Sequence, residues 1–194
     1  MLDVLRPGIL DGLAVCLAGD GDGGPVRARL AALGADIVAV TADLADEDAV
    51  AAEVAAFGRV DVLVVDAATP FVAAGGGMAA LRTAVDGSWN AVRAIVNAGW
   101  TAEGEPVGGK VVLLAPGPDA GQHAGAVGAA LENAARTLSI EWSRFGVRTT
   151  AIVPRAGAGD DELAELVAFL ASPAGDYFSG CAFAPGAGAG ATQA

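Results

Sequence analysis

Short apolar runs alternate with helix-like segments along almost the whole chain, and this alternation restricts the fold more than any other feature. The apolar runs cover residues 12–19, 36–40, 60–67, 110–116, 147–154 and 180–186. The helix-like segments between them cover residues 25–34, 46–58, 80–100, 122–145 and 160–172. Strands that are apolar on both faces are typical of a parallel sheet covered by helices on both sides. The pattern therefore predicts an α/β fold with a doubly wound parallel sheet in three layers.

The length of the chain predicts one domain. With 194 residues, the chain can bury a sizeable core without dividing into two units. We find neither a linker nor an internal repeat, and we predict a single domain over residues 1–186. Residues 187–194 consist mainly of glycine and alanine and are predicted to form a flexible tail.

Charge and composition argue against several classes of partner. The formal net charge is -12, so a nucleic acid or an anionic membrane surface is not an expected partner. No apolar run reaches the roughly 18 residues that a membrane span needs, and the first residues do not follow the signal-peptide pattern. We therefore expect a cytoplasmic protein. Two cysteines and one histidine cannot supply a zinc site of familiar spacing, so no metal is expected.

A glycine-rich stretch, AGDGDGGPV over residues 18–26, follows the first predicted strand and opens the first helix. Glycines at such a turn allow a phosphate to approach the backbone and the amino terminus of the helix. However, Asp20 and Asp22 would repel a phosphate, and Pro25 lacks a backbone N–H. Taken alone, the stretch is weak evidence for nucleotide binding.

Four segments in the observed order resemble the short-chain dehydrogenase/reductase family, in particular its ketoacyl-reductase-type members. They are VDVLVVDAA, ALENAARTLSIEW, GVRTTAIVP and ELVAFLASPAGDYFSG, and the resemblance extends over residues 12–186. It implies a Rossmann-type sheet. Only one β-α-β unit connects Gly19 to Asp43, where the family has two, so the fold is predicted to be one βα unit shorter than usual. Whether the strand over 36–40 replaces the second or the third family strand is left open.

The catalytic positions that the resemblance implies carry no catalytic side chains. The family's asparagine falls on Asp86, and its serine falls on Ala115 or Pro116. The family's tyrosine and lysine, which lie one helical turn apart, fall on Ala124 and Gly128. The prediction is therefore that the family's catalytic residues are missing.

Another alignment could not restore the tyrosine and lysine pair. The chain has one tyrosine, Tyr177, and one lysine, Lys110, and these are far from a four-residue spacing. In the family reaction the tyrosine acts as a general acid, and the lysine lowers its pKa. The prediction of a missing proton-transfer pair therefore does not depend on the details of the alignment.

The cofactor positions are only partly matched. The family's glycine motif falls on Gly19 and Gly23, with Pro25 in place of its third glycine, and Asp43 falls where family members contact adenine. The asparagines after the fourth family strand are lost, and Asp66 occupies one of their positions. We name Gly19, Gly23 and Asp43 as candidate, vestigial cofactor residues. No cofactor is expected, and NAD(P) remains the alternative.

The leading hypothesis is a catalytically inactive short-chain dehydrogenase-like subunit from a bacterium that assembles with an active paralogue. In the family, the helices corresponding to 80–100 and 122–145 form one subunit interface, and the segment corresponding to 160–186 forms a second. An alternative is an NAD(P)-dependent oxidoreductase that uses unusual groups such as His123 or Asp86. A further alternative is a Rossmann protein that senses a nucleotide without converting it.

Overall fold

The structure, a computed structural model, describes residues 5–19, 24–101 and 108–186. Six strands form a single parallel sheet in the order β2-β1-β3-β4-β5-β6. The strands are β1 (Ala14–Ala18), β2 (Asp36–Val40), β3 (Val62–Asp66), β4 (Gly109–Leu114), β5 (Val147–Ile152) and β6 (Cys181–Phe183). Five of them match the predicted apolar runs to within a residue or two at each end, and β6 covers only three of the seven residues predicted. The predicted parallel α/β fold is confirmed.

Six α-helices connect or follow these strands. They are α1 (Pro25–Ala32), α2 (Glu47–Ala55), α3 (Ala68–Ala73), α4 (Gly77–Ile95), α5 (Ala124–Glu141) and α6 (Asp160–Ala171). The helix predicted over 80–100 is corrected at both ends, because α4 begins at Gly77 and its last turn widens into a π-helix over Val96–Trp100. The helix predicted over 122–145 is α-helical only to Glu141, and its end forms a 3₁₀ turn over Ser143–Phe145.

Helices cover both faces of the sheet and define two apolar cores. One face carries α2, α3, α4 and α5, with Phe71, Val92 and Leu131 among its buried side chains. The other face carries α1 and α6, with Leu30 and Val167 in its core. The described residues thus form the three layers that the sequence predicts.

The strand order explains how the fold became shorter. In the usual Rossmann order, 3-2-1-4-5-6, a further strand lies outside the strand that pairs with the first one. Here β2 pairs with β1 directly, and α2 then leads the chain across to β3 on the other side of β1. In the described part of the chain, β2 is the edge strand. The strand over 36–40 therefore occupies the place of the second family strand, and the described residues contain no counterpart of the third.

Among the described residues, no helix combines the length and the apolar character that crossing a membrane requires. The same residues hold no group of three or more histidine, cysteine, aspartate or glutamate side chains that could bind a metal ion.

Candidate functional site

The candidate site lies at the carboxyl ends of the strands, where the strand order reverses between β1 and β3. Ligands of open α/β sheets bind at this position, which is the topological switch point. Gly19 follows β1, Asp66 ends β3 and Ala115 follows β4. The order of the strands therefore brings the residues predicted from sequence to one edge of the sheet.

Gly19 lies in close contact with the backbone at the end of β3. Its φ angle is +84°, and a Cβ atom placed on it would lie 2.3 Å from the carbonyl oxygen of Asp66. A residue other than glycine cannot occupy this position without displacing one of the two strand ends. Gly23, the second candidate of the glycine motif, lies outside the described residues, as do Asp20 and Asp22.

The side chain of Asp66 holds the start of α3, a helix that the sequence did not predict. One carboxylate oxygen accepts hydrogen bonds from the N–H groups of Ala68 (2.8 Å) and Thr69 (3.2 Å). The other oxygen accepts the hydroxyl of Thr69 at 2.6 Å. These bonds satisfy backbone donors in the first turn of the helix. Asp66 thus stabilises the start of α3.

The loop after β2 covers the end of β1 with an apolar side chain. Asp43 is exposed in this loop, where its carboxylate accepts the N–H of Ala45 at 2.9 Å. Next to it, Leu44 lies 3.5 Å from the Cβ position of Gly19 and 3.0 Å from that of Gly87 in α4. The carbonyl of Leu44 also accepts the side-chain amide of Asn90 at 2.9 Å. Sequence analysis missed Leu44, because nothing in its neighbourhood along the chain indicates this contact.

The positions that the resemblance assigns to the family's serine and lysine, Ala115 and Gly128, lie next to each other. Helix α5 packs closely against the strand ends at this point. Ala115 is buried, and its N–H donates to the carbonyl of Ile152 at 2.9 Å. A Cβ atom on Gly128 would lie 2.9 Å from Cγ1 of Val153 and 4.0 Å from Cβ of Ala115. The buried residue Ala124 precedes Gly128 by one helical turn. Helix α5 therefore packs directly on the ends of β4 and β5.

His123 precedes α5 in a backbone conformation that is unusual for a residue with a side chain. Its φ angle is +75°, and its carbonyl accepts the N–H groups of Ala126 and Val127 at 3.0 and 3.1 Å. Among the described residues it is the only one other than glycine with a positive φ. Asp86, the other candidate for unusual catalysis, is exposed on α4.

The single lysine lies at the opposite edge of the sheet, near the start of β4. The Nζ atom of Lys110 donates to the carbonyls of Ala171 (3.1 Å) and Ser172 (2.6 Å) and forms an ion pair with Asp176 at 2.6 Å. Burial lowers the pKa of Lys110, Asp176 counteracts this effect, and Arg148 lowers the pKa further. Lys110 thus stabilises the end of α6.

The single tyrosine is equally remote from the candidate site. Tyr177 ends the 3₁₀ turn Pro173–Tyr177, one residue after the partner of Lys110, and its side chain is 91% exposed. The two residue types that the family reaction requires therefore do not lie at the carboxyl edge.

Helices α4 and α5 enclose an apolar groove of about 260 Å³ on the outer surface. Its lining includes Val92, Leu131, Ala134 and Leu138, and Asp86 lies at its rim. The indole of Trp89 also lines the groove and remains 44% exposed. An exposed apolar side chain of this size beside an apolar groove is typical of a protein–protein contact.

A parallel sheet with this strand order, a glycine after the first strand and helices on both faces define a Rossmann-type α/β protein. No profile of a known protein family matches the chain, and no curated protein matches its sequence. Solved structures do match, and the chain has the fold of the short-chain dehydrogenases/reductases.

Three solved structures illustrate the match. A citronellol catabolism dehydrogenase of Pseudomonas aeruginosa PAO1 is 25% identical with a TM-score of 0.74, covering 93% of this chain and 96% of that one. A short-chain dehydrogenase of Mycobacterium smegmatis is 24% identical with a TM-score of 0.75, covering 98% and 97%. A hydroxysteroid dehydrogenase of Escherichia coli is 17% identical with a TM-score of 0.73, covering 91% and 96%.

Proposed function

We propose that this chain is a degenerate short-chain dehydrogenase-like subunit, without the family's catalysis, that assembles with an active paralogue. The observation that carries the proposal is the packing around Gly128. The position where the resemblance places a lysine is closed by the side chain of Val153, 2.9 Å from a Cβ atom on Gly128. A lysine there would require the side chain of Val153 to move.

The charges at the switch point support the absence of a tightly bound NAD(P). Asp66 lies at the end of β3, where its carboxylate would repel a pyrophosphate bound at this edge. Leu44 packs over the end of β1, where its side chain lies 3.5 Å from the Cβ position of Gly19. The described residues therefore do not fit the cofactor well, and we derive no reaction step through it.

The surface of α4 and α5 supports assembly as the retained function. Trp89 lies half exposed beside the apolar groove, and Ile140, near the end of α5, is 76% exposed. Burying about 800 Å² on each partner is enough for a specific complex, and aromatic anchors contribute much of the binding energy. We propose this surface as the main contact and the segment over 160–186, which includes α6, as the second.

The proposal can be tested by co-expressing this chain with a short-chain dehydrogenase whose gene lies next to the gene of this chain. We expect the two chains to purify together and to sediment as one complex, whereas Trp89→Asp reduces recovery of the partner at least about tenfold. Val72→Asp is the matched control, because Val72 is 58% exposed on α3 and lies outside the proposed contacts. A chain that stays monomeric with and without the dehydrogenase would contradict the proposal.

The competing function is that of a dehydrogenase, as one of the similar structures is named. In this chain it would need unusual catalytic groups. His123 or Asp86 would then act as the acid, and His123→Ala or Asp86→Ala would abolish turnover of NADH or NADPH. Thermal stabilisation by a nucleotide without turnover would instead indicate a sensor. We expect neither turnover nor nucleotide-dependent stabilisation from the purified chain.

A further inference from the structure

The edge strand β2 has backbone groups that face away from the sheet. The N–H of Asp36 donates to the carbonyl of Leu13 at 2.9 Å, in register with β1. Because successive residues of a parallel strand face opposite neighbours, Val38 and Val40 also bond toward β1. Ile37 and Ala39 therefore face outward. We call the N–H and C=O groups of Ile37 and Ala39 the outer edge.

The outer edge is open within the described part of the chain. Within the described residues, the N–H and C=O groups of Ile37 and Ala39 form no hydrogen bond outside the sheet. Val38, which lies between them, is 37% exposed, while Ile37 and Ala39 are partly buried against the second core. An added strand would thus gain backbone hydrogen bonds and an apolar contact with Val38.

Glu53 determines where the outer edge ends. Its carboxylate reaches from α2 and accepts the N–H and hydroxyl of Thr41 and the N–H of Ala42, at 2.7 to 3.0 Å. The first outward N–H beyond Ala39 is therefore already occupied. A strand that pairs with β2 can use only the groups of Ile37 and Ala39, so its register is restricted.

The charges around the outer edge specify the chemistry of the segment that would pair there. Asp36 is exposed at the start of β2, and the segment after the strand presents Asp46 and Asp48 to solvent, whereas Glu47 between them is paired with Arg93. These carboxylates lie beyond both ends of the edge and attract a segment with lysine or arginine side chains.

The same charges disfavour pairing between two copies of this chain. An antiparallel pairing of two β2 strands about Val38 would place Asp36 of one copy opposite Val40 of the other. Glu53 binds Thr41, the residue after Val40. Glu53 of one copy would then lie close to Asp36 of the other copy. Each copy also carries a net charge of -12. Like charges at these positions destabilise a strand pair.

We propose that the outer edge of β2 binds an extended, basic segment of a partner protein by strand addition. In the described residues no third strand covers the edge, Glu53 sets the register, and the flanking acidic residues select basic side chains. Strand addition of this kind takes its affinity from main-chain hydrogen bonds and its specificity from alternate side chains. This inference does not depend on the proposed contact through α4 and α5.

A fluorescent peptide, Lys-Val-Lys-Val-Thr-Val-Lys, tests this inference with the full chain. We expect it to bind at least about tenfold more tightly than the same peptide with glutamate in place of lysine, which corresponds to about 1.4 kcal/mol. In amide hydrogen exchange, binding should protect Ile37 and Ala39 and leave Val38 unchanged, since Val38 already bonds to β1.

Substitutions at Ala39 separate strand pairing from general attraction between charges. Ala39→Pro removes an outward N–H without affecting the bonds to β1, and it should weaken peptide binding about tenfold or more. Ala39→Val keeps the N–H and should bind like the wild type. If Ala39→Pro does not fold, Asp36→Lys provides the test, because it should reduce the preference for the basic peptide, whereas an unchanged preference would contradict the role of Asp36.

Three results would overturn the inference. They are equal binding of the basic peptide to the wild type and Ala39→Pro, equal binding of the two peptides, and unchanged exchange at Ile37 and Ala39. A dimer of the chain alone that Ala39→Pro dissociates would show that a second copy occupies the edge instead.

Discussion

The two edges of the sheet are stabilised in different ways. At the carboxyl edge, backbone and small side chains meet at close range, as Gly19 does with Asp66 and Gly128 with Val153. At the amino edge, polar side chains bond to the backbone, as Lys110 does with the end of α6 and Trp100 with the carbonyl of Val60 at 2.8 Å. Both edges are closely packed, since a Cβ atom on Gly109 at the start of β4 would lie 2.2 Å from the ring of Trp100. The regions compared differ in that the family's catalytic positions at the carboxyl edge carry only small residues, Ala115, Ala124 and Gly128.

This difference separates what the fold needs from what catalysis needs. The polar contacts at the amino edge connect strands and helices of this chain. Asp61, for example, accepts the N–H of Ala14 at 2.9 Å and pairs with Arg59 at 2.6 Å, which joins the starts of β1 and β3. A chain released from catalytic demands can retain these contacts while small residues fill its catalytic positions.

The largest effect is expected from breaking the carboxyl edge at Gly19. Gly19→Ala introduces a Cβ atom 2.3 Å from a backbone oxygen, at a φ angle of +84°. Because the backbone at both strand ends would have to shift, we expect the free energy of unfolding to fall by about 3 kcal/mol or more. Urea denaturation monitored by circular dichroism measures the change.

Gly125→Ala is the control for this substitution. Gly125 lies in the first turn of α5 and is exposed, and a Cβ atom placed on it would meet no neighbouring atom within 4 Å. Its replacement should leave the free energy of unfolding unchanged or raise it by up to about 1 kcal/mol. Equal effects of the two alanines would show that the carboxyl edge is not closely packed.

A smaller effect is expected from Lys110→Ala at the amino edge. The carbonyls of Ala171 and Ser172 and the carboxylate of Asp176 would lose their shared donor, while the cost of burying an ammonium group would disappear. We expect a net loss of about 2 kcal/mol in the free energy of unfolding. Thermal and urea denaturation should agree on the size of the loss.

Arg82→Ala tests whether the loss comes from these contacts or from the change in net charge. Arg82 is exposed on α4 and forms no ion pair within the described residues. Its removal changes the net charge by the same amount and should cost less than about 0.5 kcal/mol. A loss at Arg82 that matches the loss at Lys110 would contradict the structural role of the lysine.

The sequence predicts the strands well because each is an apolar run that ends at glycine, proline or a polar residue. It also predicts that the family's tyrosine and lysine pair is missing, since Tyr177 and Lys110, the one residue of each type, are far from a four-residue spacing. The sequence did not predict α3, because the first turn of that helix depends on three bonds to Asp66 and not on an amphipathic pattern.

Contacts between segments that are distant in the sequence could not be predicted either. The packing of Leu44 against Gly19 and Gly87, and of Gly128 against Val153, joins residues that no local pattern relates. The sequence left open which family strand was lost, because the segment over 36–40 fits either place. Pairing between β2 and β1 decides this point, since a strand's neighbours are determined by tertiary structure.

The smallest effect, with a dependence on pH, is expected from Glu53→Gln at the edge strand. Burial raises the pKa of Glu53, but hydrogen bonds from Thr41 and Ala42 outweigh this effect and hold the pKa below its ordinary value of 4.5. In the unfolded chain the carboxyl group therefore binds a proton at higher pH than in the folded chain. Its contribution to stability is complete above about pH 4.5 and is lost as the pH falls through the folded-state pKa.

Glu53→Gln should accordingly lower the free energy of unfolding by about 1 kcal/mol at neutral pH, and the difference from the wild type should shrink in acid. Urea denaturation at a series of pH values measures both quantities. Glu141→Gln is the control, because Glu141 is exposed on α5 without a side-chain partner in the described residues. A difference between Glu53→Gln and the wild type that stays constant from neutral pH into acid would show that the carboxylate does not stabilise the end of β2. The register proposed for a docked strand would then lose its physical basis.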